Sequence, residues 1–281
     1  MNFPSTAREP DWSLIFPRGG HRWNMGVRRG DAAAFFRTLD AADAVRAERA
    51  RWLASDPDTY SALLPEAEPA LQETVQLARS LGAVVETAAP LQEQLLALGR
   101  AWEPDFVWMH PDGQGTHRLI GGVVCFPSSW ALREKLGRPM HEVHAPVPGL
   151  NALLARQVEL LFAKQVPGEA WVRENANYSR DSLLNHHPSQ PLEPLDATVT
   201  PSEFWIRMEH QLLLKLPHSG SILFGIRVEP YPLARVLEDP LASARLAEIF
   251  ATMSEAAAAY KGLAAVRPNV IAWLRAAAER G

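Results

Sequence analysis

The chain has 281 residues, 47% hydrophobic and 21% charged, an ordinary globular composition with enough apolar material for a sizeable core. A net charge of −4 and a pI near 6.2 leave no basic footprint for nucleic acid. The longest near-apolar run, 119–126, is far short of the roughly 20 residues that span a bilayer, and residues 1–10 carry no apolar signal core, so a cytoplasmic protein is expected.

The first third reads as helical. Segment 31–39 has Asp31 as a cap, and 71–81 and 91–98 repeat apolar residues at three- and four-residue spacing, with breaks at Pro65, Pro69 and Pro90. The middle changes period. Segments 105–109 and 117–126 read as strands of a hairpin whose turn holds Pro111, Gly113 and Gly115. A short capped helix is expected over 128–135 and a longer one over 150–165. Segment 203–214 alternates, with Phe204, Ile206, Met208 and His210 on one face and Trp205, Arg207, Glu209 and Gln211 on the other. A turn at 216–220 leads to a strand over 221–228, and helices over 241–260 and 269–278 follow. The fold class is α+β: helices flank a central, mostly antiparallel sheet. One domain is expected over 1–281, with a helical part to about residue 100, the sheet core to about 230 and C-terminal helices beyond.

A single cysteine rules out an internal disulfide, an all-cysteine iron–sulfur cluster and a zinc ribbon. Cys125 lies in the apolar run GGVVCF and reads as a core residue. The chain lacks a GxGxxG after a strand, a P-loop, a GxSxG elbow and an HExxH, and the pairs Gly19-Gly20 and Gly121-Gly122 are isolated. If the protein is an enzyme that consumes electrons, another chain must deliver them.

Nine histidines invite a metal reading. His186 and His187 sit in a polar, Pro-rich loop, and His110 and His117 flank the hairpin turn, where solvent exposure is expected. His141 and His144 stand three apart in RPMHEVHAPVPGL with no third ligand at a sharp spacing. A one-histidine site suits that pattern better than a two-histidine metal site, and a structural histidine is also compatible with it. The face with Arg207, Glu209 and Gln211 is either a solvated strand surface or a pocket floor. In a pocket, its carboxylate would favour a protonated amine, and Arg207 would fix the carboxylate or meet an anionic group.

Several colinear stretches together resemble the haem-binding subunits of oxidative N-demethylases. They are FPSSWALREKLGRPMHEVHAPVPG (126–149) and RMEHQLLLKLP (207–217) with SGSILFGIR, and more weakly HRWNMGVRRGD (21–31) and WVREN (171–175). The resemblance implies a PAS-like sheet holding one haem b that uses dioxygen to oxidise a small secondary amine such as dimethylamine to a primary amine and formaldehyde. It implies electrons from NADPH through partner chains that carry flavin and an iron–sulfur centre. It assigns His144 as the axial ligand to iron, with His141 as the fallback, and Glu209 as the group that holds the ammonium or delivers a proton. Arg207 and Gln211 then position it or meet a propionate, Arg133 and Lys135 are propionate partners, and Arg173 and Asn175 belong to the cofactor wall. Two departures stand out: Ala176 replaces the family's tryptophan in R-x-N-W, with Trp171 nearby but out of register, and Lys215 replaces an arginine. The first implies a reshaped amine pocket. It leaves room for a haem-free binding protein, and the PAS-like fold also suits a second rival, a haem sensor or gas-binding module without turnover.

Overall fold

Short polar caps set where several helices begin. The computed structural model describes residues 10–37, 42–87 and 89–280. Asp11 caps α1 (Trp12–Ile15), and after β1 (Arg28–Gly30) Asp31 caps α2 (Ala32–Phe36) by accepting from Ala34 N at 2.7 Å. Residues 38 and 39 of the expected 31–39 helix lie outside the described residues. α3 (Ala42–Ser55), α4 (Pro57–Tyr60), β2 (Ser61–Leu63), α5 (Glu68–Ser80) and α6 (Leu91–Ala101) complete the first third.

The expected hairpin is present as β3 (Asp105–Pro111) and β4 (His117–Val123). Gly122, at φ 151°, lets the two strands close: a Cβ there would meet Phe106 O at 2.2 Å. The short helix is shorter than expected. α7 covers only Leu132–Lys135 and starts from Ala131 without a side-chain cap. α8 (Met140–Val143), α9 (Leu150–Lys164), β5 (Ala170–Ser179), β6 (Trp205–Lys215) and β7 (Ile222–Pro232) follow, then α10 (Leu233–Leu237). The expected 241–260 helix is two helices, α11 (Pro240–Thr252) and α12 (Glu255–Tyr260), because Ser254 starts a new one by accepting from Ala257 N. α13 (Arg267–Ala278) ends the described chain.

The seven strands among the described residues form one antiparallel sheet in the order β1-β5-β6-β7-β3-β4-β2. One face carries Phe106, Trp108, Met208, Leu212, Leu214 and Leu223 into two cores, filled by α5 and α6 toward one end and by α11 and α13 toward the other. The opposite face carries Met109, Leu213 and Ile222 under Leu154, Val158 and Phe162 of α9. The chain is therefore α+β with helices on both sides of the sheet. Among the described residues, no helix is long and apolar enough to cross a membrane.

Two histidines expected at the surface are buried. His117 is 4% exposed, with Nδ1 2.8 Å from Glu159 Oε2, and His186 is 6% exposed, with Nε2 2.9 Å from Asp181 Oδ1. Each gains a carboxylate from a neighbouring segment, which local polarity in the sequence does not disclose. Cys125 is fully buried and burial pushes its thiol up to about 12, as suits a core cysteine.

His210, on the same face as Met208 and Leu212, stands between two carboxylates: Nε2 is 3.2 Å from Glu229 Oε2 and Nδ1 3.7 Å from Glu174 Oε1. Burial alone would lower its pKa, but the hydrogen bonds and charges of Glu174 and Glu229 outweigh burial and raise it. Burial opposes Glu174 and Glu229 too, yet His210 and, for Glu174, Arg28 bring both down to about 2. A raised histidine stabilises fully below its unfolded value of 6.5, and that gain fades as pH rises through the folded value. The gap in unfolding free energy between the wild type and His210→Gln should thus be widest near pH 6 and narrow as pH rises above 6.5. Urea melts of both proteins across pH 5.5–9 check this; a gap independent of pH would contradict it.

Candidate functional site

β5 and β6 pair with Arg173 opposite Gln211, Asn175 opposite Glu209 and Asn177 opposite Arg207. Strand alternation therefore puts all six side chains on the face opposite His210. That face is not solvated: Arg207, Glu209 and Gln211 are 1%, 6% and 8% exposed. The solvated-surface reading of the strand is thereby corrected: its polar face forms a buried floor.

Glu209 is the centre of this floor. Oε1 accepts from Ser128 Oγ at 2.8 Å and Asn177 Nδ2 at 2.9 Å; Oε2 accepts from Gln211 Nε2 at 2.8 Å and Asn175 Nδ2 at 3.1 Å. Four neutral donors, two per oxygen, fill the carboxylate's acceptor sites and hold one buried negative charge in a fixed orientation. Ser128 reaches it from a strained corner. The next residue, Ser129, has φ 64°, and Ser129 N and His186 N cross-bond to His186 O and Pro127 O. The hydroxyl that sequence analysis read as part of a helix start instead faces the carboxylate.

Arg207 does not touch Glu209. Its guanidinium donates to the carbonyls of Leu183 and Leu184, the latter at 2.8 Å, and so pins the 181–187 segment, leaving Nε without a partner. Burial lowers its pKa to about 10. Arg173 is different. Among the described residues it makes no hydrogen bond or ion pair, and its Nε is buried. Burial, opposed by Glu209 and Glu174, lowers its pKa. Trp171 Nε1, on the same face, is a second buried donor without a partner.

His144 ends α8 as its C-cap, in the turn that leads to Gly149 and α9. Neither ring nitrogen has a hydrogen-bond partner among the described residues. Burial first, then the charges of Lys135 and Arg173, push its pKa down to about 4, so the imidazole is neutral at pH 7 with a lone pair available to a metal. It borders a cavity of about 370 Å³ between α8 and α9, together with His141, Asn151, Arg156 and Glu159. The loop behind it is tied down by Trp23, whose Nε1 donates to Pro148 O at 2.9 Å.

The other expected residues divide. Lys135 Nζ donates to Val143 O at 2.7 Å, one residue before His144, and lies over the Trp130 ring at 5.9 Å. Arg133 is engaged elsewhere, with Asp58 at the exposed start of α4, and is not among the groups gathered around Glu209 or His144. His141 is exposed and its carbonyl accepts from Asn151. Ala176 has the opposite parity to Asn175 and is 8% exposed in the core beneath the C-terminal helices. Residue 176 therefore lies on the other face of the sheet from the Glu209 floor.

Sequence reasoning missed Ser128, Asn177 and Lys261. The N-x-N of β5, opposite R-x-E, was the available signal: polar residues two apart on a strand share a face. The family model described as "Haem-dependent oxidative N-demethylase, alpha subunit-like" matches residues 76–271. The chain belongs to this haem-dependent oxidative N-demethylase alpha subunit-like family. The match takes in the stretches 126–149, 171–175 and 207–217; the weaker 21–31 stretch lies outside it.

The family's cofactor meets a suitable set of groups here. Haem needs an unengaged imidazole, apolar walls and cations for two propionates. His144 is the first. Trp171, Val143 and Phe224 belong to the apolar cluster under α9, and Arg173 is a cation with a buried, unpartnered donor. The nine histidines leave no rival cluster: among the described residues no group of three or more His, Cys, Asp or Glu could hold a bare metal ion.

Proposed function

We propose that this chain is the haem-binding catalytic subunit of an oxidative demethylase acting on a small secondary amine such as dimethylamine. The observation that supports the haem site most directly is His144: a neutral, unengaged imidazole beside a cation, Arg173, that makes no hydrogen bond or ion pair among the described residues. In this reading His144 would hold the haem iron, and Arg173 and Lys135 would pair with the propionates. Haem, when bound, supplies the reductive use of dioxygen and the oxidation of the N-methyl group.

The protein's own part is charge placement. Glu209 provides one fixed negative charge in a largely desolvated floor, which favours an alkylammonium over a neutral molecule of the same size. Its acceptor sites are taken by neutral donors, so the amine is met through Ser128. That hydroxyl donates to Glu209 and keeps its own lone pairs for an amine N–H, giving a path for a proton from the amine to the carboxylate. Asn175, Asn177 and Gln211 keep the carboxylate from turning, and Arg207 holds segment 181–187 over this face.

The overall reaction takes R(H)N–CH3, dioxygen, two electrons and two protons to R–NH2, formaldehyde and water. As the family resemblance implies, the electrons come in this reading from partner chains that carry NADPH-linked flavin and an iron–sulfur centre; a chain whose one thiol, Cys125, is buried in the core agrees with that division of labour. The test is formaldehyde release from dimethylamine by haem-loaded protein with a reductase. Glu209→Gln keeps the shape but removes the charge and replaces one acceptor oxygen, and the two hydrogen bonds it takes, with a donor. It should weaken dimethylamine binding about tenfold to a hundredfold, the range for a hydrogen-bonded charge, and leave haem content unchanged. Haem-loaded protein that releases no formaldehyde from any N-methyl amine would favour a gas-binding or sensing role.

A further inference from the structure

Lys261 closes α12 as its C-cap and reaches across to the sheet. β1 pairs with β5 only as far as Val172, and beyond it Lys261 Nζ takes Ala176 O at 2.8 Å and lies 3.4 Å from Asn177 Oδ1. The rings of Trp23 and Tyr178 stand 5.8 Å from the same nitrogen. No carboxylate forms an ion pair with Lys261 among the described residues. Arg173 and Glu209 act on it through space, and it in turn acts on His21.

The other end of Asn177 donates to Glu209. A side-chain amide can present either its oxygen or its nitrogen to a neighbour, and the two orientations fill the same space. An ammonium can only donate, so it selects the orientation with Oδ1 toward itself and Nδ2 toward the carboxylate. We propose that Lys261 is a positioning residue of the Glu209 site: by fixing the Asn177 amide it sets the direction of the Glu209 carboxylate. This rests on reading Glu209 as the amine-binding group.

The geometry has a counterpart in charge. Burial, with Arg173 adding and Glu209 opposing, lowers the Lys261 pKa to about 8. Above that value its nitrogen carries a lone pair and no longer enforces one amide orientation. The groups that face it are Glu209 on β6, Arg173 and Tyr178 on β5, and His21 and Trp23 on the N-terminal segment.

The experiment is calorimetric titration of dimethylamine into haem-loaded full-length protein, for Lys261→Met, Lys261→Arg, Asn177→Ala and the Lys261→Met/Asn177→Ala double variant. Lys261→Met should weaken binding about tenfold, the size expected for a hydrogen bond to a charged group. Lys261→Arg should restore it. The double variant should bind as Asn177→Ala does, within about twofold, since both changes break one chain of contacts. Wild-type affinity should also fall as pH rises through about 8, and Lys261→Arg should lack that fall. Additive losses, or an unchanged Lys261→Met, would overturn the proposal. If Glu209→Gln weakens binding while Lys261→Met does not, only this inference fails; if neither does, the reading of Glu209 fails with it. Should Lys261→Met not fold, Asn177→Ala and the pH profile of Lys261→Arg carry the test.

Discussion

Replacing His144 with alanine should abolish stable haem retention. Wild-type protein reconstituted with haemin is expected to keep a Soret band through gel filtration, with iron in step with protein. The variant should lose both, because a single proximal imidazole is the bond that fixes the iron, and apolar contact alone leaves the porphyrin free to exchange. Free imidazole added to His144→Ala should bring the band back by filling the vacated ligand position. His141→Ala is the control. That histidine is exposed, and only its backbone carbonyl has a hydrogen-bond partner among the described residues, so haem should stay. A band lost in His141→Ala and kept in His144→Ala would reverse the two assignments. A band kept in both would remove histidine ligation from this loop.

The second large effect concerns stability and lies on the other side of the FPSSW stretch. Arg49 of α3 and Asp105 at the start of β3 are both fully buried and form an ion pair; Arg49 Nε also donates to Gly99 O at 2.9 Å. Asp105 in turn accepts from Cys125 N at 2.8 Å and Phe126 N at 2.9 Å. One carboxylate thus anchors the corner from which Ser128 reaches Glu209. Arg49→Met would leave that carboxylate buried without its cation, which typically costs about 3–5 kcal/mol. A drop of this size should appear as a lower urea midpoint with an unchanged slope. Adding Asp105→Asn to Arg49→Met removes the orphaned charge and should recover part of the loss, since the penalty comes from the unpaired charge as much as from the missing bond. A double variant as unstable as the sum of the two single variants would show that the pair's charges are not the cause.

Much of this architecture was legible in the sequence wherever a pattern is local. The β3–β4 hairpin, α9 and the alternation of β6 follow from period and turn residues, and the site face of β6 was written into R-x-E-x-Q. β5 was not legible. Its WVRENANYS carries Arg173, Asn175 and Asn177 on the site face and Val172, Glu174 and Ala176 on the other, so neither face reads as apolar. Its strand character comes from pairing with β6. α3 was equally silent, because its apolar residues do not gather on one side and its most deeply buried polar residue is an arginine. The cluster around Glu209 draws Ser128, Asn175, Asn177 and Lys261 from three separate segments, and their convergence is a product of topology.

The sheet order has one further consequence. Its two outermost strands, β1 and β2, both come from the N-terminal third, outside the 76–271 match, and so does Arg49. The segment shared with the family thus holds the interior of the sheet but neither of its borders. Without residues 28–30 and 61–63, the backbone N–H and C=O groups of β5 and β4 that now bond to them would stand open, a template for pairing with another chain. The N-terminal third, which contributes few of the groups around Glu209, is in this sense what keeps the sheet interior from associating edge to edge.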